Sequence, residues 1–283
     1  YAIATGNTFL LKPSEQVPLS QKRMFELLAQ TGLPAGVVNL VHGGKEVVDQ
    51  LCTNPEIKGV SFVGSSPVAR HVYELCGKNG KRVQALGGAK NYLVVMPDAV
   101  MEKSVQNVSD SIYGCSGQRC LAGSIVIGVG DAYDKVRAGL LAAAKAIVVG
   151  NGAKSEVTMG PVISAKHKDK VLGYIQAGVD EGAKLLLDGR QHPSAKDAAG
   201  NFLGPTIFEG VKPDMRIMKE EIFGPVVCLM KARDLDEAIS QVNTTEFANA
   251  SSIYTTSGKS AREYAYRAHP AGQLLNHTTS DTE

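Results

Sequence analysis

Short apolar runs that end on glycine or proline, each followed by a stretch with a helical apolar face, recur along this chain. In the first part, strands are expected at 7–12, 37–41, 57–63, 81–86 and 92–96, closed by Pro13, Gly43-Gly44, Gly64, Gly87-Gly88 and Pro97. Helices are expected over 18–31, 45–51 and from Pro67 to about Cys76. Two strands joined through a helix must run parallel, because the helix brings the chain back to the same end of the sheet. The pattern resumes with a helix over 100–113 and a strand over 125–129. Helices over 133–148 and 164–181 follow, the second with Ser164 as its N-cap, then a strand over 184–187 and a polar loop over 191–200. Strands at 226–231, 250–254 and 272–275 alternate with helices near 235–242 and 259–268. The fold class is therefore α/β, with two such units in sequence.

Composition narrows the function. The chain has 283 residues, roughly two domains by length, and a formal net charge of only +2. No basic cluster points to a nucleic acid or a membrane surface, and no apolar run is long enough to span a bilayer or to act as a signal segment. The five cysteines, Cys52, Cys76, Cys115, Cys120 and Cys228, are an odd number in a chain too long to need disulfide staples. A reducing compartment, the cytoplasm, is expected. Neither the cysteines nor the six scattered histidines have metal-ligand spacing, so no metal is expected. The histidines read as surface or core residues. The first residue is Tyr1, and 277–283 is a polar tail, so the chain is expected to be a piece of a longer protein.

Four stretches carry chemistry. Tyr113-Gly114-Cys115-Ser116-Gly117-Gln118-Arg119-Cys120 is a loop of small and polar residues just ahead of an apolar strand. A thiol placed there can face a substrate while the strand holds it still, and Arg119 supplies positive charge. Alternatively Cys120 is a small buried hydrophobe, as most lone cysteines are. Cys115 reads as loop packing. Phe62-Val63-Gly64-Ser65 lies where a strand ends and a helix begins, which suits a phosphate on helix N–H groups; it also suits a plain tight turn. Lys12-Pro13-Ser14-Glu15 follows another strand end, where Lys and Glu can hold ribose hydroxyls, or can simply be solvated. Glu220-Glu221-Ile222-Phe223-Gly224-Pro225 offers an acid for a sugar hydroxyl and an aromatic for a flat ring, or a helix end with a core phenylalanine.

Taken together and in this order, these stretches resemble the NAD-dependent aldehyde dehydrogenase superfamily. Gly32-Leu33-Pro34-Ala35-Gly36-Val37-Val38-Asn39 and Met159-Gly160-Pro161 belong to the same resemblance, which spans almost the whole chain. It implies a Rossmann-type parallel-sheet cofactor domain and an α/β catalytic domain, both incomplete. Residues 1–92 would be part of the NAD-binding domain, 93–276 the catalytic domain with the nucleophile loop, and 277–283 a tail that does not match. The resemblance implies Cys120 as nucleophile. Lys12 and Glu15 would bind the adenosine ribose, with Ser14 and Gln16 beside the cofactor. Ser65 would meet the pyrophosphate, with Phe62 and Gly64 among the cofactor-binding residues, and the Gly87 backbone would also lie beside the cofactor. Glu221 would hold the nicotinamide ribose, with Phe223 against the ring.

Hydrolytic members of the family carry a glutamate ahead of the Gly-Gly pair as a general base for water. Its place falls here on Ala85 or Leu86, which accept no proton. Residues 84–91, Val94-Val95-Met96-Pro97-Asp98-Ala99 and Gly117-Gln118-Arg119-Cys120 resemble the coenzyme A-acylating methylmalonate-semialdehyde dehydrogenases. A coenzyme A thiol, with an ordinary thiol pKa of about 8.5, needs less base help than water does. The resemblance thus implies NAD-dependent oxidation of methylmalonate or malonate semialdehyde to an acyl-CoA through a cysteine thioester. It also implies a homo-oligomeric parent, a dimer or tetramer, in valine, thymine or inositol breakdown. Arg119 would bind the substrate carboxylate bidentately, or else make a structural ion pair. The upstream oxyanion-hole asparagine, a second arginine and the closing subunit-pairing segment of the family are not found within the chain. Two other readings remain: a hydrolytic NAD-dependent aldehyde dehydrogenase, and an inactive nucleotide-binding fragment.

Overall fold

The computed structural model describes residues 1–197, 200–247, 249–269 and 273–277, the last five by their backbone alone. The chain divides into two compact units, Tyr1–Gly88 and Ala89–Glu283. The expected tail 277–283 lies outside the described residues except for the backbone of His277, and so does Gly272 of the last expected strand.

The first unit runs β1 (Phe9–Leu11), α1 (Pro18–Leu28), β2 (Val38–Leu40), α2 (Lys45–Thr53), β3 (Gly59–Val63), α3 (Ser66–Lys78) and β4 (Arg82–Leu86). Every expected element is present, and the pairings are parallel, Phe9 with Val38 and Gly59 with Arg82. The strands form two separate pairs, β1-β2 and β3-β4, rather than one sheet. Its buried core is small: Cys52, Val72 and Cys76, flanked by partly buried Val60, Phe62 and Val83. Desolvation and the hydrogen bond with Cys76 push the Cys52 thiol up to about 12, as expected of an inert buried cysteine. Lys81 ties the unit from within, its ammonium donating to the carbonyls of Leu51 (3.2 Å), Ile57 (2.8 Å) and Asn54.

The second unit continues with β5 (Asn91–Val95), α4 (Met101–Tyr113), β6 (Gly123–Val129), α5 (Ala132–Ala146), α6 (Ala165–Asp180), β7 (Lys184–Leu187) and β8 (Thr206–Glu209). Then come α7 (Arg216–Lys219), β9 (Val226–Ala232), α8 (Leu235–Val242), β10 (Ser251–Thr255), α9 (Gly258–Arg267) and β11 (Gln273–His277). Its sheet has the order β11-β10-β5-β6-β9-β8-β7. All neighbours are parallel except the edge pair β7-β8. Side chains alternate between two cores, as the pleat requires: Tyr92 and Val94 enter one, Leu93 and Val95 the other. The continuous apolar run of β5 is thus a strand covered on both faces. Ser164 caps α6 as expected, its hydroxyl accepting from the His167 N–H at 3.2 Å. β8 is an addition to the expected elements. Four residues between Pro205 and Gly210 are too few to show periodicity, and pairing on both sides makes them a strand. Among the described residues no helix is long and apolar enough to cross a membrane.

Candidate active site

In the second unit the loop that carries Cys120 connects α4 to β6. Cys115, Ser116 and Gly117 all adopt left-handed backbone conformations, with φ of 51°, 56° and 70°. For the two non-glycine residues that costs about 1–2 kcal/mol each, so the surroundings must hold them there. Ser116 is buried, and its hydroxyl donates to the Gly160 carbonyl at 2.6 Å. Gln118 accepts from the Ile163 N–H at 2.9 Å. The Met159-Gly160-Pro161 motif is therefore the ledge that supports the loop. At Gly117 only glycine fits, since a Cβ would stand 2.2 Å from the Gly224 carbonyl oxygen. That contact joins the loop to the turn that carries Glu221 and Phe223.

Cys120 is exposed and opens onto a cleft lined also by Arg119, Glu221 and Phe223. The reading of Cys120 as a buried hydrophobe is thereby removed. Cys115 is exposed as well, a correction to its expected packing role; it is the neighbouring Ser116 that is buried and anchors the loop, through its bond to Gly160. Arg119 lines the cleft, but its Nη2 donates to the Asp110 carbonyl at 2.6 Å and the Ser111 carbonyl at 3.3 Å. The guanidinium thus serves the C-terminal end of α4, where cations suit the helix dipole. No carboxylate is its partner in these contacts, so the structural role takes the form of a helix cap rather than the alternative ion pair.

Glu221 is held by the Ala89 N–H, which donates to Oε1 at 3.0 Å. Burial pushes its carboxyl above the ordinary range, and this N–H pulls the other way. Beside it the buried Lys90 ammonium donates to the carbonyls of Ile217 (2.6 Å) and Glu220 (2.8 Å). Burial lowers the pKa of Lys90. Phe223 is 36% exposed with φ of 60°, which disposes of the core-phenylalanine reading. His167, read from the sequence only as surface or core, stands at this turn. Its Nε2 donates to the Phe223 carbonyl at 2.6 Å, and its ring meets that of Phe223 edge to face at 6.3 Å. Neither His167 nor Lys90 nor Asn91 shows a spacing that would have revealed it; His167 comes from α6, Asn91 from the start of β5 and Lys90 from the residue before it.

The first unit holds the other candidate residues. Lys12 follows β1, with its ammonium 3.1 Å from Glu15 and donating to the Gly43 carbonyl at 2.9 Å. Backbone hydrogen bonding and the Lys12 ammonium lower the Glu15 pKa. Ser14 Oγ accepts from the Gln16 N–H at 3.3 Å, closing the turn between them. Phe62 lies at the end of β3, Gly64 follows it, and Ser65 is the N-cap of α3 but makes no side-chain capping bond. The backbone donors of that first turn therefore have no partner in the Ser65 side chain, and Pro67 carries no N–H. A Cβ on Gly64 would stand 2.6 Å from the Phe62 ring, so glycine keeps this approach open. Gly87 follows β4, and the next N–H, of Gly88, donates to Ser66 Oγ at 3.0 Å. A cation-carboxylate pair for a ribose and an uncapped helix N-terminus for phosphate fit a dinucleotide such as NAD.

The model of the aldehyde dehydrogenase family matches residues 1–283. Malonate-semialdehyde dehydrogenase 2 of Geobacillus thermodenitrificans is 51% identical over 263 residues, 93% of this chain and 54% of that protein. The crystal structure of methylmalonate-semialdehyde dehydrogenase from Oceanimonas doudoroffii superposes with a TM-score of 0.91 at 40% identity, covering 96% of this chain and 56% of that one. Betaine aldehyde dehydrogenase from Staphylococcus aureus, solved in complex with NAD+, gives a TM-score of 0.91 at 31% identity, covering 99% and 55%. The chain spans about half the length of the curated relatives it matches.

Proposed function

The chain belongs to the aldehyde dehydrogenase family, and from that premise we propose that it carries the NAD-binding and nucleophile-bearing parts of a coenzyme A-acylating semialdehyde dehydrogenase. The substrate we infer is malonate or methylmalonate semialdehyde, the compounds named in its relatives at 51% and 40% identity. Lys12, Ser14, Glu15, Gln16, Phe62, Gly64, Ser65 and Gly87 are assigned to NAD in the first unit, with Glu221 and Phe223 in the second. Bound NAD would supply a hydride acceptor. The Cys120 thiolate forms a C–S bond to the aldehyde carbon, and loss of hydride leaves a thioester on Cys120. A coenzyme A thiolate then attacks that carbon, the bond to Cys120 breaks, and the enzyme thiolate returns with release of the acyl-CoA. Arg119 is kept as a proposed contact for the substrate carboxylate, through donors not spent on the end of α4.

One observation carries the acylating reading. Among the residues lining the cleft Glu221 is the sole carboxylate, and the Ala89 N–H already engages it. Ala85 and Leu86, where hydrolytic relatives place their base, end β4 as alkyl side chains. Water attacks a thioester poorly without a base, whereas a thiol needs less help. A second reading, hydrolysis, rests on the place of Glu221 in the cleft with Cys120, where burial shifts its carboxyl upward, the direction that strengthens a proton acceptor. NADH formation on malonate and methylmalonate semialdehyde, with and without coenzyme A, separates the two. The acylating reading expects sustained turnover only with coenzyme A, and a loss of about a thousandfold or more in Cys120→Ser. Steady NADH production without coenzyme A would favour hydrolysis, and no NADH under either condition would leave a nucleotide-binding piece. An NAD-binding part over 1–92 and a catalytic part over 93–276 belong to the same proposal, close to the division into compact units at Gly88/Ala89.

A further inference from the structure

Three consecutive residues at the start of β5 each grip a different backbone segment. Ala89 holds Glu221, Lys90 holds the C-terminal end of α7 through Ile217 and Glu220, and Asn91 holds the nucleophile loop. The third is the least expected. Asn91 is 3% exposed and makes three hydrogen bonds. Its Nδ2 donates to the Cys120 carbonyl at 2.8 Å and to the Ala122 carbonyl at 2.8 Å, and its Oδ1 accepts from the Ala250 N–H at 3.2 Å. Two carbonyls on one side and an N–H on the other admit only one orientation of the amide. A second amide reaches the same oxygen from the opposite end of the sequence, Asn249 Nδ2 donating to the Cys120 carbonyl at 2.6 Å.

We propose that Asn91 and Asn249 are positioning residues for the Cys120 thiol, their side-chain amides meeting on the Cys120 carbonyl oxygen and fixing the peptide plane from which the thiol projects. The inference rests on Cys120 being the nucleophile. Two donors on one carbonyl use both its lone pairs, so rotation of that peptide would break both bonds at once. The clamp is also needed where it stands. The residues just before it, Cys115 to Gly117, are already held in left-handed conformations, and Cys120 lies beyond their support. A reacting atom displaced by about 1 Å can cost on the order of a hundredfold in rate. The two asparagines differ in what else they hold. Asn91 also satisfies Ala122 and Ala250, so its loss removes the partners of the Ala122 carbonyl and the Ala250 N–H as well as one of the two donors to Cys120, whereas Asn249 gives only the bond to Cys120 among these contacts.

The test uses Asn249→Ala and Asn91→Ser, with Asn249→Gln as the conservative variant, and Cys120→Ser as a control. Hydrogen exchange of peptides covering 118–123 reads the clamp without relying on activity. Asn249→Ala should exchange about tenfold faster there, with other peptides unchanged, and Asn91→Ser faster still. In turnover, Asn249→Ala should lose about tenfold in kcat at an unchanged KM for NAD, with partial recovery in Asn249→Gln. Unchanged exchange in 118–123 overturns the clamp. Faster exchange with wild-type kcat, while Cys120→Ser is inactive, overturns its catalytic importance. If Cys120→Ser still turns over, it is the nucleophile assignment that fails, and positioning of a reactive thiol falls with it.

Discussion

The two units are built from one repeating pattern, yet they bury very different amounts of themselves. In the second unit every residue of β5 and of β10 is buried. In the first, β3 and β4 alternate between exposed and half-buried residues, and α1 buries none of its side chains. Covering both faces of a sheet gives apolar burial; a two-stranded pair with little cover relies on polar ties such as Lys81 on its three carbonyls. The difference also sorts the proposed chemistry. A thiol that must be placed to a fraction of an ångström sits on the deeply packed unit. Ribose and phosphate groups, bound by exposed charges and backbone amides, are assigned to the lightly packed one.

That contrast is open to direct attack. The largest effect is expected from Phe208→Ala, in the fully buried face of β8. It should cost about 3–5 kcal/mol in a denaturant titration. A loss below about 1 kcal/mol would mean that the second core is less decisive than its burial indicates.

Next comes Glu209, tied to Arg137 at 2.6 Å and to Lys184 at 2.8 Å, with only 12% of its side chain exposed. The hydrogen bond from Arg137, helped by Lys184, holds its pKa at about 2 against an ordinary 4.5. A depressed folded value stabilises the charged form. The contribution is therefore present above pH 4.5 and fades as pH falls toward 2. Glu209→Gln should lose roughly 2 kcal/mol at neutral pH and show a shallower decline of stability across that acid window. Parallel stability-pH curves for variant and wild type would show that this cluster contributes nothing to the second unit.

The smallest effect is expected in the first unit, where Val72→Ala removes fully buried methyl groups from a small core. A cost of about 1–2 kcal/mol is expected. Hydrogen exchange should show protection falling in 59–86 while 91–129 keeps its protection. Equal loss in both regions would erase the distinction between them.

Much of this was legible in the residues. The alternation of apolar runs with Gly or Pro stops located every strand and helix of the first unit, because a parallel crossover is the one local solution to that pattern. Cys120, Glu221 and Phe223 stood out because motif residues sit at strand ends and turns, and the structure sets all three around one cleft. β8 was missed, since four residues carry no period. His167, Lys90 and the asparagines were missed because their partners lie far along the chain, 129 positions in the case of Asn249 and Cys120.

The order of apolar and breaking residues determined by itself the α/β class and the parallel pairing, since local sterics and the two side-chain periods act over a few residues; the family was legible only as a resemblance carried by motifs such as Gly117-Gln118-Arg119-Cys120. Only the tertiary structure decided which strands are covered on both faces. It likewise decided that the Arg119 guanidinium turns to the end of α4 and that the Cys120 carbonyl is held by two amides. Those outcomes depend on hydrogen bonds between segments remote in sequence, whose geometry exists only once the sheet has formed.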